Sequence, residues 1–240
     1  MSTTIDFHSH ILPRVDDGSQ SVEESMTMLR MEAEQGVRHV VATPHFYPRH
    51  DTPELFLSRR ARAEEKLREQ MEKEPGLPQL SIGAEVYYYS GISDSEVISE
   101  LTIGENRCIL IEMPQSPWSE SMYQELEGLY IKRGLIPVIA HIDRYIGRFR
   151  TFGIPQRLAQ LPVMVQANAE FFLHRSTASM ALRMLKEDRI QLLGSDCHDL
   201  SSRSPNLGDA VKYIEDKLGK DIFKRIHGYE KMIFAPDSVN

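Results

Sequence analysis

Two histidines stand one residue apart in Asp6-Phe7-His8-Ser9-His10, a stretch that reads as a strand. Side chains alternate along a strand, so the imidazoles of His8 and His10 face the same side. Side-by-side imidazoles suit a transition metal better than an apolar core. Six downstream residues repeat the theme: His45, Glu85, Glu112, His141, Asp196 and His198 each stand where an apolar strand-like run ends. Imidazole and carboxylate without a thiolate pattern fit manganese, iron or zinc. The set is too large for one ion, and a carboxylate such as Glu85 can bridge two. Paired metals generate a hydroxide nucleophile at neutral pH and neutralise charge on a phosphoryl oxygen. The implied chemistry is hydrolysis of a phosphate ester.

Other chemically capable residues divide by position. Pro13 to Gln20 is a loop by its proline, paired aspartates and glycine. Asp17, so near the two histidines, is taken as a further ligand, whereas Asp16 is read as a polar turn residue. His39 opens a strand instead of leaving one, and His227 lies in the tail beside Gly228, so both are read as structural. Arg144 follows His141 by three residues and Arg203 follows His198 by five. Both are placed to reach the same mouth, where a guanidinium fork matches phosphate oxygens. Cys108 and Cys197 lie in or just after apolar runs and are read as buried free thiols. No C-x5-R phosphatase loop is read around either cysteine, so a cysteinyl-phosphate route is not expected.

These residues need a scaffold that gathers strand ends. Seven strands are expected, around residues 6–10, 37–42, 80–86, 108–113, 135–140, 163–168 and 190–194. Helices fall between them. Ser21 and Glu24 form an S-x-x-E capping box, Val22, Met26, Leu29 and Ala33 follow at helical spacing, and Gly36 ends the turn. A long charged helix covers 51–74, opened by Pro53, and its mixed-sign residues from Arg59 to Glu69 read as a solvated face. Further helical pattern covers 94–101, 119–133, 177–187 and 207–218, with a shorter piece near Phe223. Runs such as Val40-Val41-Ala42 and Ile136 to Ala140 are apolar on both faces, the mark of parallel strands covered by helices. One barrel-like α/β domain over residues 1–240 is therefore expected, with an open doubly wound sheet as the alternative. No strand is followed by a Gly-rich phosphate loop. In α/β barrels the active site lies at the C-terminal ends of the strands, where all eight residues of the first set fall.

Composition bounds the class. The 240 residues are 41% hydrophobic and 26% charged, ordinary for a globular protein with a large core. The net charge of −7 argues against broad nucleic-acid binding. The opening residues show no charged-then-apolar leader, and no apolar run nears the roughly 20 residues of a membrane span. With its unpaired cysteines, the chain is expected in the cytoplasm.

Several stretches together carry a family resemblance: HSH at 8–10, DDG at 16–18, ATPH at 42–45, the isolated Glu85 and Glu112, HIDRY at 141–145 and GSDCH at 194–198. Over nearly its whole length the chain resembles the PHP (polymerase and histidinol phosphatase) family. It resembles most closely the bacterial tyrosine-protein phosphatase branch linked to capsule and exopolysaccharide synthesis. HSH is shared by many metal hydrolases, whereas the opening HSHILPxVDDGSQSxEES and HIDRY are specific to the branch. The resemblance implies a distorted (β/α)7 barrel, TIM-like and of PHP type, with a trinuclear site usually described with manganese. One ion would take His8, His10, Glu85 and Asp196. A second would share Glu85 and add Glu112 and His141, and a third would take Asp17, His45 and His198. Arg144 and Arg203 match the branch's phosphate-binding arginines. Arg14 stands where many relatives have glycine, in a loop where a basic side chain bears on substrate entry.

The expected function is a metal-dependent protein-tyrosine phosphatase using Mn2+, with Fe, Zn or Mg as other ions. Its expected substrate is the tyrosine-rich tail of a capsule-synthesis kinase, with no nucleic-acid partner and no membrane insertion. The leaving-group acid is unassigned, with Asp143 and a metal-bound water as candidates. The nearest rival is a PHP phosphatase for a small monoester such as histidinol phosphate. More distant rivals are a PHP nuclease and a metal-binding module without activity.

Overall fold

A computed structural model of the chain describes residues 4–104, 107–146 and 153–234, so both extremes of the expected 1–240 domain lie outside the described residues. The chain runs β1 (Thr4–Ser9), α1 (Val22–Glu34), β2 (Val37–Ala42), β3 (His45–Phe46), α2 (Pro53–Met71), β4 (Gln79–Ile82), β5 (Glu85–Tyr87) and β6 (Cys108–Glu112). It continues with α3 (Glu120–Arg133), β7 (Ile136–Ile139), α4 (Ile154–Leu158), β8 (Met164–Asn168), α5 (Ala169–Leu173), α6 (Ala178–Lys186), β9 (Leu192–Gly194), α7 (Leu207–Leu218) and α8 (Ile222–Phe234). All pairing between these strands is parallel, in two sheets ordered β1-β2-β4 and β3-β5-β6-β7-β8-β9. The result is a mixed α/β fold with a curled parallel sheet.

Two expected strands gain a second segment. The first, 37–42, forms as expected and is followed, after Thr43-Pro44 where proline has no N–H for a ladder, by the added segment β3. The second breaks at Gly83-Ala84, where a Cβ on Gly83 would lie 2.7 Å from Ile103 Cγ1. Short bonds bridge the gap, Gly83 N to Ala42 O at 2.8 Å and Glu85 N to Pro44 O at 3.0 Å. The break is functional in placement, because β3 and β5 open with His45 and Glu85, paired in register. Both residues therefore begin a second strand segment, whereas the sequence pattern had put them at strand exits.

At the other side β1 meets the segment after β9. Ser9 forms an isolated parallel bridge with Cys197, Asp196 N donates to His8 O at 2.8 Å, and His10 N donates to Cys197 O at 2.9 Å. Gly194 makes that approach possible, since a Cβ there would lie 2.6 Å from His8 Cβ and 2.9 Å from His8 N.

Alternation along the strands fills two cores. On β6, Cys108 and Leu110 join Phe7, Val41, Val138 and Leu192 inside the curl, while Ile109 and Ile111 face the helices. Each such buried aliphatic side chain is worth about 1.5–3 kcal/mol. Ile233 of α8 belongs to the inner cluster and Phe234 packs on Phe7 and His39, near the N-terminal ends of β1 and β2. That end is thus covered, and the opposite end holds the histidines.

Other local readings need adjustment. Ser21 Oγ accepts from Glu24 N at 3.1 Å as expected, but the Glu24 carboxylate reaches Gln20 N at 2.6 Å instead of the cap residue's own N–H. The expected helix at 94–101 is two 3-10 turns, Ile92–Asp94 and Val97–Leu101. The piece near Phe223 is a full 13-residue helix. His39 hydrogen-bonds Ser81 Oγ at 2.8 Å and His227 bonds Glu230 at 2.7 Å, both in the structural roles expected.

Gly194→Ala should overpack the β1–β9 contact, at about 1–3 kcal/mol. For a chain of this size that is a fall in Tm of roughly 3–10 °C by calorimetry. An unchanged Tm would show that the contact is not tight in solution.

Candidate metal centre

Every strand-end residue singled out from the sequence converges on one place. Nε2 of His8 and Nε2 of His10 lie 3.0 Å apart. Glu85 Oε2 is 3.1 Å from the first and 3.3 Å from the second, and Asp196 Oδ1 is 3.5 and 3.4 Å away. The other end of the cluster shares the same carboxylate. Glu85 Oε1 lies 2.7 Å from His141 Nε2, and Glu112 Oε1 lies 3.8 Å from that nitrogen. His45 Nδ1 stands 3.0 Å from Glu85 Oε2 and 3.8 Å from Glu112 Oε2. Asp17, two-thirds exposed at the rim, has Oδ1 3.7 Å from His45 Nε2 and 3.6 Å from His198 Nε2.

These contacts define groups of donors close enough to hold a metal ion: His8, His10 and Glu85; His45, Glu85 and Glu112; and His10, Asp17, His45 and His198. The donor chemistry fits a cation. Two imidazole nitrogens 3.0 Å apart, each beside two carboxylates and all but wholly buried, repel one another unless a positive charge lies among them. His198 Nε2 is buried with no hydrogen-bond partner, while Nδ1 is engaged by the Asp196 carbonyl at 2.9 Å. That arrangement leaves a lone pair on Nε2 for a ligand.

The electrostatics follow from the same packing. Burial alone would raise the Glu85 carboxyl, but the charges of His8, His45 and His141 hold it well below the usual carboxylate range. Asp196 is likewise held low against burial by His8, His10 and Arg144. Glu112 is pushed up by burial and by the neighbouring Glu85 charge. His198 is pulled down to about 3 by burial and the charge of His10. It is neutral at physiological pH, the form that ligates metals.

Three orienting residues escaped the sequence reading. Asp16 accepts from His10 Nδ1 at 2.7 Å, from the His45 backbone N–H at 2.8 Å and from Gly18 N at 3.0 Å. It fixes which nitrogen of His10 faces the cluster, and so is more than a turn residue. Gln166 Oε1 faces His8 Nδ1 at 3.2 Å and accepts from His141 N at 2.6 Å. Asn168 donates to Asp196 Oδ2 at 2.9 Å. The first had only its place in the DD pair as a signal. The other two sit inside an apolar strand run, where buried amides demand partners.

Below the cluster, Asp6 accepts from His8 N at 3.1 Å and Ser195 N at 2.9 Å, and its carboxyl lies beside that of Glu32. Both are wholly buried and both are raised, Asp6 by burial and Glu32 by burial together with the Asp6 charge. His141 and Asp196 carry left-handed backbone, φ 34° and 56°, which is strained for non-glycine residues and clusters at functional sites.

Both arginines reach the mouth. Arg203 Nη2 donates to Asp196 Oδ1 at 2.9 Å, and Arg144 Nη2 donates to Asp196 Oδ2. They line a cavity of about 440 Å3 with Asp143 and Asn168. Asp143 accepts from Asn168 N at 3.2 Å. Cys197 and Arg203 have C-x5-R spacing, which corrects the expectation that neither cysteine has it. The thiol is unsuited to attack: it is wholly buried, faces Glu32 Oε1 at 4.0 Å, and is pushed well above its ordinary pKa by burial and the carboxylates of Glu32 and Asp6. Both cysteines are free and buried, as expected.

Fold and site together define a parallel α/β protein with a buried histidine–carboxylate centre, able to hold more than one metal ion, at the open end of its sheet. Residues 4–233 match the family model "Capsular polysaccharide synthesis, CpsB/CapC", and the chain belongs to that family. It is 30% identical over 230 residues to the tyrosine-protein phosphatase CpsB of Streptococcus pneumoniae, covering 90% of this chain and 91% of that one. It is 26% identical over 226 residues to the tyrosine-protein phosphatase YwqE of Bacillus subtilis, covering 91% and 86%. A crystal structure from work on YwqE of B. subtilis and CpsB of S. pneumoniae, described as unique metal-dependent tyrosine phosphatases, superposes with a TM-score of 0.83 at 24% identity, over 95% of this chain and 93% of that one. The fold is therefore shared. Among the described residues no helix is long and apolar enough to cross a membrane.

Asp16→Ala should free the His10 ring and weaken metal binding by about 10–100-fold. Titration calorimetry of chelator-stripped protein with Mn2+ measures this. Equal affinity in the two proteins would remove Asp16 from the orienting role.

Proposed function

We propose that the chain is a metal-dependent tyrosine-protein phosphatase, a phosphoric monoester hydrolase. The observation that carries this is the buried Glu85 carboxylate shared by two donor groups, with Arg144 and Arg203 at the rim. The activity of the relatives supports it. The curled sheet is taken as a distorted (β/α)7 barrel of PHP type. Its seven strand positions are β1, β2 with β3, β4 with β5, and β6 to β9, closed by the Ser9–Cys197 bridge. Residues 1–240 form one such domain.

Three divalent ions are proposed, manganese before iron, zinc or magnesium. His8, His10, Glu85 and Asp196 would hold one, Glu85, Glu112 and His141 a second, and Asp17, His45 and His198 the third. Bound there, such ions supply Lewis acidity and activate water at neutral pH. The chain's own residues do the rest. Arg144 and Arg203 each bond Asp196 through Nη2, with Arg144 Nη1 also 3.7 Å from Glu112, and the two together would present a fork for phosphoryl oxygens. Their charge stabilises what develops on those oxygens during transfer. Asp196 holds both arginines in place, and Gln166 and Asp16 keep the imidazoles aimed. The proposed substrate is a phosphotyrosine protein of capsule synthesis, specifically a kinase tail, met in the cytoplasm.

Chelator-stripped protein should release phosphate from p-nitrophenyl phosphate and from a phosphotyrosine peptide only after Mn2+ is restored, and should do so far faster than from histidinol phosphate. Preference for histidinol phosphate would replace this reading with the small-molecule one. No turnover with any divalent metal would end it. Glu85→Ala should lower turnover by at least ~100-fold and reduce bound metal. Full turnover and full metal content in that variant would remove the bridging role.

A further inference from the structure

We propose that a basic groove between α2 and the 13–23 loop seats an acidic stretch of the peptide that carries the phosphotyrosine, an assignment that rests on the phosphatase reading above. The groove is a cavity of about 570 Å3 lined by Arg14, Arg59, Arg62 and Lys66, with Glu23 as its one acidic side chain and Leu55 among its apolar ones. Along the sequence α2 carries charges of both signs, Arg59, Arg60 and Arg62 before Glu64 and Glu65, then Lys66 and Arg68 before Glu69. The helix sorts them. Arg60 turns away to donate to Gly83 O at 2.9 Å and Glu100 O at 3.1 Å, and Arg68 pairs with Glu64 at 2.7 Å. Residues 59, 62 and 66, at helical spacing, are left along one stripe facing Arg14.

Most of the charge in this groove has no ion-pair partner. Arg59 is answered by Asp51, but Arg14 and Arg62 bond only neutral oxygens, Gln20 O at 2.8 Å and Ser58 Oγ at 2.7 Å. Among the described residues no carboxylate lies within ion-pair distance of Arg14, Arg62 or Lys66. Such a patch on a chain of net charge −7 complements an acidic partner. Arg14 also holds φ 59°, backbone that favours glycine, and so keeps a cation where the turn geometry disfavours one.

The groove adjoins the rim of the metal centre, and Arg59, which donates to Val15 O at 3.0 Å, is the side chain they share. Arg59 lines both this cavity and a second one of about 430 Å3 that contains Asp17, His45 and Tyr47. A peptide with its phosphotyrosine at the cluster would cross Arg59 and enter the groove. Leu55 is 63% exposed and, among the described residues, no aromatic ring lines the groove, which suits aliphatic and acidic side chains and gives nucleic-acid bases nothing to stack on.

The test uses fluorescein-labelled peptides carrying a non-hydrolysable phosphonate in place of phosphotyrosine, flanked by three glutamates or by three serines. Anisotropy at low salt should give the glutamate peptide a roughly three- to thirtyfold lower Kd, from two to three exposed ion pairs. The advantage should vanish in the double variant Arg62→Ala with Lys66→Ala, and at about 0.5 M salt. The kcat/KM on p-nitrophenyl phosphate should not change in that variant. Equal binding of the two peptides, or an advantage that survives the double substitution, would overturn the proposal. So would a single-stranded oligonucleotide that displaces the glutamate peptide at lower concentration than the serine peptide does. If the matching peptides with authentic phosphotyrosine are not hydrolysed with Mn2+ while the binding difference of the phosphonate peptides persists, the phosphatase reading has failed, and the groove is an acidic-chain site without a substrate role.

Discussion

One buried carboxylate organises this protein. Glu85 is wholly buried, and His8, His10, His45 and His141 all face its two oxygens. A lone carboxylate there would be strongly unfavourable, so the surrounding positive charge is a condition for the fold's open end as much as for its chemistry. Four separate strand segments must therefore end, or begin, within a few ångströms of one point. The breaks at Thr43-Pro44 and Gly83-Ala84 meet that requirement, because they let β3 and β5 restart with His45 and Glu85 side by side.

The same constraint explains the layer behind the ligands. An imidazole can present only one chosen nitrogen if the other is held, and Asp16 and Gln166 hold His10 and His8. Asp196 is bound at once by the arginines and by Asn168, so the residue that closes the cluster also anchors the groups at its rim. Beneath, the buried Asp6–Glu32 pair ties β1 to α1 and, through Ser195, to the segment carrying Asp196 and His198. The chain spends an unusual share of its buried polar groups at one end of the sheet, while the other end is closed with Phe7, Ile233 and Phe234.

Positions of like charge behave differently according to what the fold places beside them. Arg144 and Arg203 stand against a carboxylate in the mouth, whereas Arg62 and Lys66, two turns or less apart on α2, face open space beside the 13–23 loop. Both sets are arginine- and lysine-bearing surfaces in the sequence, and only their partners separate them.

Much of this was legible in the residue order. Continuous apolar runs announced strands buried on both faces, and β6 and β7 follow that pattern. The residue types at strand ends marked His8, His10, His45, Glu85, Glu112, His141, Asp196 and His198 as a set, because imidazoles and carboxylates in apolar company need a reason to be there. Local rules also foresaw the starts of α1 and α2. What sequence could not decide was everything that depends on residues far apart in the chain meeting in space. The restart of two strands as β3 and β5, the role of Asp16, and the sorting of α2's mixed charges are of this kind. Each turns on which neighbour a side chain finds across the sheet or across a loop. Hydrogen bonds and screening act over a few ångströms, and only the folded chain sets those distances.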